Sequence, residues 1–167
     1  MTKTLIQRQA QPERPAERIS RHDRHIQLIV DVHLLLVRDG QVLLGRRANT
    51  GYGDGAYEPP SGRLDERETI VEAAVRVAAA QAGIVSLDPA QVTLAHVMHD
   101  VSGAGRIAFF LTAEGWDGPV GDAVASYSDL DWFPLDALPA NMIDRARVAV
   151  RDFAAGGRFS TYPSFGM

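Results

Sequence analysis

Three side chains at helical spacing in "ERETIVEAAVR" (66–76) could do chemistry: Glu68, Glu72 and Arg76. Carboxylates one turn apart can share a hard divalent cation, which takes oxygen ligands. They can equally join arginine in an i, i+4, i+8 ladder whose rungs are worth only about 0.2–0.5 kcal/mol each. The continuation "VAAAQAGI" (77–84) adds no acid. A second chemical set is the histidines outside the first 25 residues, His33, His96 and His99. Imidazole titrates near neutrality and can move protons. Because strand side chains alternate, His96 and His99 should face opposite sides of their strand, so at most one shares a pocket with His33. There is no cysteine, which excludes disulfides, thiol nucleophiles and thiolate metal sites.

The elements that position these groups follow from pattern. "IQLIVDVHLLLV" (26–37) and "VLLGRR" (42–47) are apolar runs separated by Asp39-Gly40, a strong hairpin signal that predicts two antiparallel strands. "ANTGYGDGAYEPPSG" (48–62) is rich in glycine and proline and predicts a long loop. Thr69 to Ala82 are good helix formers, with Glu68 and Glu72 at the N-terminal end and Gly83 as the stop, so a helix is expected there. "QVTLAHVMH" (91–99), "RIAFFLTAEGW" (106–116) and "LDWFPL" (130–135) predict further strands. "NMIDRARVAVRDFAAGG" (141–157) sets Met142, Ile143, Ala146, Val150 and Phe153 on one side of an amphipathic closing helix. The sum is an α/β chain, a mixed sheet between helices. It divides into an extension over 1–25, one domain over 26–158 and a tail over 159–167.

Gly62, five residues, Glu68, seven residues, Arg76, then Gly83-Ile84 resembles the Nudix box, G-x5-E-x7-R-E-U-x-E-E-x-G-U with U apolar. The preceding hairpin, "LLGRRANTGYGDGAYEPPSG" and "WFPLDALP" (132–139) look like the same family. The resemblance covers about residues 26–158 and implies the Nudix fold, an α/β/α sandwich. It also implies a site in which glutamates of the box hold Mg²⁺ or Mn²⁺, the metal bridges a diphosphate, and water attacks phosphorus.

The departures from that pattern are specific. Val77, Ala80 and Gln81 stand where the three glutamates of R-E-U-x-E-E belong, so no conventional metal site is expected. At most Glu68 and Glu72 would hold one weakly bound Mg²⁺ or Mn²⁺, because Mg²⁺ needs near-octahedral oxygen coordination. Ser61 and Arg67 replace glycines, and a loop acid common in relatives could only be Asp122 or Asp129. If the family fold holds, Glu68, Glu72, His33 and His99 are the expected catalytic residues, with Asp100 beside His99. Arg46, Tyr57, Glu58, Arg76 and Trp116 are the expected contacts to substrate, Tyr57 and Trp116 as walls for a flat ligand.

Three functions follow. The preferred one is a repurposed Nudix protein doing metal-independent chemistry or binding a small ligand, such as a nucleotide derivative, in the old cleft. The others are an ordinary hydrolase of nucleoside diphosphate derivatives with relocated ligands, and a non-catalytic sensing or protein-binding module.

Composition narrows the partners. The 167 residues suit one core, and a net charge of −4 gives no basis for nucleic-acid binding. No apolar run reaches the roughly 20 residues that span a bilayer, and residues 1–25, basic through Lys3, Arg8, Arg14, Arg18, Arg21 and Arg24, lack the apolar core of a secretory signal. A cytoplasmic protein is expected. Many relatives of this kind dimerise, which keeps a homodimer open.

Overall fold

A computed structural model of the chain describes residues 26–116, 120–121 and 126–163. Asp122 and the basic extension lie outside them.

The strands are β1 (Ile29–Leu34), β2 (Val37–Arg38), β3 (Gln41–Arg47), β4 (Tyr57–Glu58), β5 (Ser61–Arg63), β6 (Val92–Asp100), β7 (Arg106–Ala113), β8 (Tyr127–Pro134) and β9 (Phe159–Tyr162); the helices are α1 (Ile70–Ala82) and α2 (Asp144–Ala154). Two sheets form. The larger runs β5-β1-β7-β6-β9 and is mixed, β1–β7 and β6–β9 parallel and the other pairs antiparallel. In the smaller, β3 pairs β2 and β4 along one edge and β8 along the other, all antiparallel.

The hairpin expected around Asp39-Gly40 is present between β2 and β3, with φ of 51° and 74° at its two central residues; both fall in the left-handed region that a two-residue I′ turn requires. The run 26–37 is not one strand, however. Leu35 N–H donates to Leu111 in the large sheet while Leu36 C=O accepts from Leu43 in the small one. The chain changes sheets between these two leucines, and both are fully buried, so hydropathy alone carries no sign of the break.

Alternation along β1 sorts the interior into two cores. Val32 and Leu34 pack with Ala73, Ala74, Val77 and Ala78 of α1. On the other face, α2 puts Ala146, Ala149 and Val150 against Met98, Ala108 and Phe110. The large sheet therefore lies between the helices, as the pattern implied. Burial at these positions is the main stabilising term, about 25 cal/mol per Å² of apolar surface. Helix α1 begins at a capping box, Thr69 Oγ1 accepting from Glu72 N–H and the Glu72 carboxylate accepting from Thr69 N–H, and ends at Gly83 with φ 68°. One boundary moves: residues 159–162, expected in a tail, form β9 and add an edge strand to β6. His96 anchors this addition, with Nδ1 3.1 Å from Gly157 O and Nε2 2.8 Å from Ser160 Oγ.

Candidate functional site

The Asp31 and His33 side chains project from β1 on the α2 side of the large sheet, and a cleft of about 440 Å³ opens over them. Glu58 and Ser61 of the β4–β5 segment, Arg47 at the end of β3, Asp100 at the end of β6, Arg106 at the start of β7 and Arg145 in the first turn of α2 also line it. An adjoining cavity of about 450 Å³ shares Tyr52, Ser102 and Arg145 and continues over Met142, Ile143, Tyr162 and Pro163.

The acids of the cleft are engaged. Arg47 Nη1 donates to Glu58 Oε1, which also accepts from Ser61 Oγ at 3.3 Å and from Tyr127 OH at 3.4 Å. The other guanidinium nitrogens of Arg47 hold Tyr52 O (2.8 Å) and Thr50 Oγ1 (3.0 Å), fixing the loop at the mouth. Asp31 pairs with Arg106 Nη1 at 2.8 Å. Asp100 Oδ1 accepts from the backbone N–H and the hydroxyl of Ser102. Arg63 and Arg145, by contrast, have no ion pair among the described residues.

His33 is 3% exposed and stacks on Phe110 at a centroid distance of 4.5 Å and an interplanar angle of 14°. Burial holds its pKa below the ordinary value; Glu58 and Asp31 oppose the shift and Arg145 adds to it. The ring is therefore neutral at pH 7. Its Nδ1 is buried with no hydrogen-bond partner among the described residues.

The other residues singled out from the sequence lie elsewhere. Glu68 accepts from Arg76 Nε and Nη2, both at 2.7 Å, and from Asp65 N–H, while Arg76 Nη2 also donates to Arg63 O. The Arg76 hydrogen bonds hold the Glu68 carboxyl down at about 2. Glu72 caps α1, so the three-residue ladder reduces to the Glu68–Arg76 rung, and neither acid lines the cleft. His99 is half-buried on the face of β6 opposite Asp100, as alternation dictates. Arg46 is exposed, its Nε 3.3 Å from Gly55 O; its neighbour Arg47 is the one that reaches the cleft. Tyr57 is drawn away by its hydroxyl, which donates to Asp129 Oδ1 at 3.1 Å, and by an edge contact with Phe133. That bond also occupies Asp129, the described member of the two loop acids. Trp116 lies parallel to Trp132 at 6.3 Å, with the Arg38 guanidinium 4.4 Å from its ring centre; the stack forms no wall of the cleft.

Of the expected site residues the structure thus brings together His33, Glu58 and Asp100. Arg47, Arg106, Arg145 and Asp31 join them, and no local signal in the sequence distinguished these from surface charges.

The three box positions separate. Val77 is 1% exposed and packs under Gly62, Ala80 is exposed, and Gln81 is half-buried with Oε1 unpartnered among the described residues. Among the described residues no three His, Asp or Glu side chains converge as a metal-binding group. The NUDIX domain family model matches residues 27–153. The chain belongs to the Nudix family. Among solved structures, this Nudix chain is similar to a MutT NUDIX hydrolase from Burkholderia pseudomallei (28% identity, TM-score 0.65, covering 75% of this chain and 97% of that one). It shares its fold with a MutT protein from Bacillus halodurans (20%, TM-score 0.63, 83% and 94%) and an ADP-ribose pyrophosphatase from Streptococcus suis (14%, TM-score 0.55, 81% and 99%). No curated protein matches it. No helix among the described residues of this Nudix protein is long and apolar enough to cross a membrane.

Proposed function

We propose that this Nudix protein does not carry out divalent-cation-dependent diphosphate hydrolysis at its box, and that it takes a small anionic ligand into the arginine-lined cleft on the α2 face without a resident metal. One observation carries the reading: the box positions that would supply carboxylates hold Val77, Ala80 and Gln81, while the remaining Glu68 is chelated by Arg76. A cluster of Mg²⁺ or Mn²⁺ ions needs several free carboxylate oxygens, and the residues present do not fit that demand. The cleft supports the second half of the statement. Its lining includes Arg47, Arg63, Arg106 and Arg145 against Asp31, Glu58 and Asp100, so arginines outnumber acids, and two of them, Arg63 and Arg145, have no carboxylate partner among the described residues. Guanidinium is suited to phosphate and carboxylate because its forked donors match their oxygens. Inside this reading the protein is cytoplasmic and binds small molecules rather than nucleic acid.

The test is an assay of the full chain with ADP-ribose, nucleotide sugars and nucleoside triphosphates in Mg²⁺ or Mn²⁺. Release of phosphate or nucleotide should not exceed a protein-free blank. Hydrolysis that a chelator abolishes would instead establish a hydrolase with relocated ligands.

A further inference from the structure

The cavity of about 450 Å³ beside the cleft differs from it in chemistry. The two share Tyr52, Ser102 and Arg145 as a border. On one side of that border the cleft runs on to Arg47, Arg63 and Arg106, and on the other the cavity runs on to Met142, Ile143, Tyr162 and Pro163. Arg145 is the one cation among the described residues lining the cavity, and Asp144 stands next to it. A second anionic group would find like charge there and no further guanidinium, so the cavity suits an uncharged apolar group.

Tyr52 joins the two halves. It is 57% exposed, yet its place is fixed. Its carbonyl accepts from Arg47 Nε at 2.8 Å and from Thr50 Oγ1 at 2.9 Å, and Arg145 Nη1 lies 3.4 Å from its hydroxyl. The next residue, Gly53, has φ 61° and approaches α2 so closely that a Cβ would stand 2.5 Å from Ile143 Cδ1. The guanidinium carbons of Arg47 and Arg145 are 5.7 and 5.6 Å from the Tyr52 ring centre, within cation–π reach. A ring that is ordered but uncovered is a preformed contact, and a ligand that packs on it need not order it first.

Resting on the cleft reading above, we infer that the ligand is an anion carrying a ring-sized hydrocarbon group. The anion meets Arg145 and Arg63 in the cleft, and the hydrocarbon crosses the shared border to pack on Tyr52, Tyr162 and Pro163. Tyr52 is then a specificity-determining residue, favouring an apolar body over a polyhydroxylated one.

Calorimetric titration of the full chain with inorganic phosphate, glycerol 3-phosphate and phenyl phosphate tests this. The last two are both phosphate monoesters and differ in what the ester carries. Phenyl phosphate should bind at least ~10-fold more tightly than glycerol 3-phosphate, the scale for taking about half of a phenyl ring out of water. Tyr52→Ala should bring the two within about twofold by the same argument, and Tyr52→Phe should keep the preference, because the ring and not the hydroxyl makes the contact. Both variants change an exposed side chain and should retain the wild-type urea midpoint. Arg145→Gln should weaken all three probes together. Equal affinity of the wild type for the two monoesters, or a preference that survives Tyr52→Ala, would overturn the role of Tyr52 and leave the anion cleft standing. Failure of all three probes to bind would remove both.

Discussion

Val77 fills the space beside Gly62, where a Cβ would meet Val77 Cγ2 at 2.9 Å. The first residue of the box and the first of its replaced acids are thus packed together in the α1 core. Val77, Ala80 and Gln81 are spaced i, i+3, i+4, yet α1 turns its Val77 side inward and leaves Ala80 in solvent.

Restoring the acids therefore meets unequal resistance. Ala80→Glu should leave stability within about 0.5 kcal/mol, as exposed substitutions do. Val77→Glu buries an unpaired carboxylate and should cost about 3 kcal/mol or more. Urea midpoints of the two single variants check this, and equal midpoints would mean that the Val77 pocket opens to water.

The Glu68–Arg76 pair should show in the pH dependence of stability. Its carboxyl lies at about 2 when folded, below the ordinary glutamate value of 4.5, so the pair contributes fully above the unfolded value and is lost as pH falls through about 2. Because the Arg76 side chain is 40% exposed, solvent screening holds the contribution near ~1 kcal/mol. Glu68→Gln should lower the urea midpoint at pH 7, and the gap from wild type should close as the pH approaches 2.

Arg67 occupies a position where the family often has glycine, and its backbone keeps the left-handed φ of 63°. A side chain in that region costs about 1 kcal/mol relative to glycine. Arg67→Gly should raise thermal stability by a few degrees, offset in part by the greater freedom of the unfolded chain. A lower melting temperature would show that the arginine makes a compensating contact.

Gly45 lies under the Tyr127 ring, whose nearest atom would sit 2.7 Å from an added Cβ. Tyr127 is 3% exposed and donates toward Glu58 while accepting from Ser61 N–H. Gly45→Ala should cost about 1–3 kcal/mol by overpacking. It should also weaken ligand binding, since the displaced ring supports two lining residues of the cleft. Chemical denaturation and anion titration of the same variant separate these two effects.

What could be seen in the sequence was what local chemistry decides. Thr69, Glu72 and Gly83 bound α1 through caps made within a few residues, and Asp39-Gly40 sets its turn by its own φ angles. The site was less visible because its parts come from separate elements. Arg145 reaches the cleft from α2, and nothing near it in the chain marks it apart from Arg147 or Arg151. Tyr57 and Trp116 are aromatic in the right neighbourhood, yet partners distant in sequence, Asp129 and Trp132, settle where they point. His33 was visible because it is a polar residue in the middle of an apolar strand.

The parallel stack of Trp116 and Trp132 around Arg38 holds both indoles of the chain in one spot. Intrinsic fluorescence will therefore report on the seam where the β2–β3 hairpin meets the end of β7, and will be blind to ligand arriving at His33. Coupling between the two chromophores gives that seam its own optical signature, an internal gauge of whether the smaller sheet has docked.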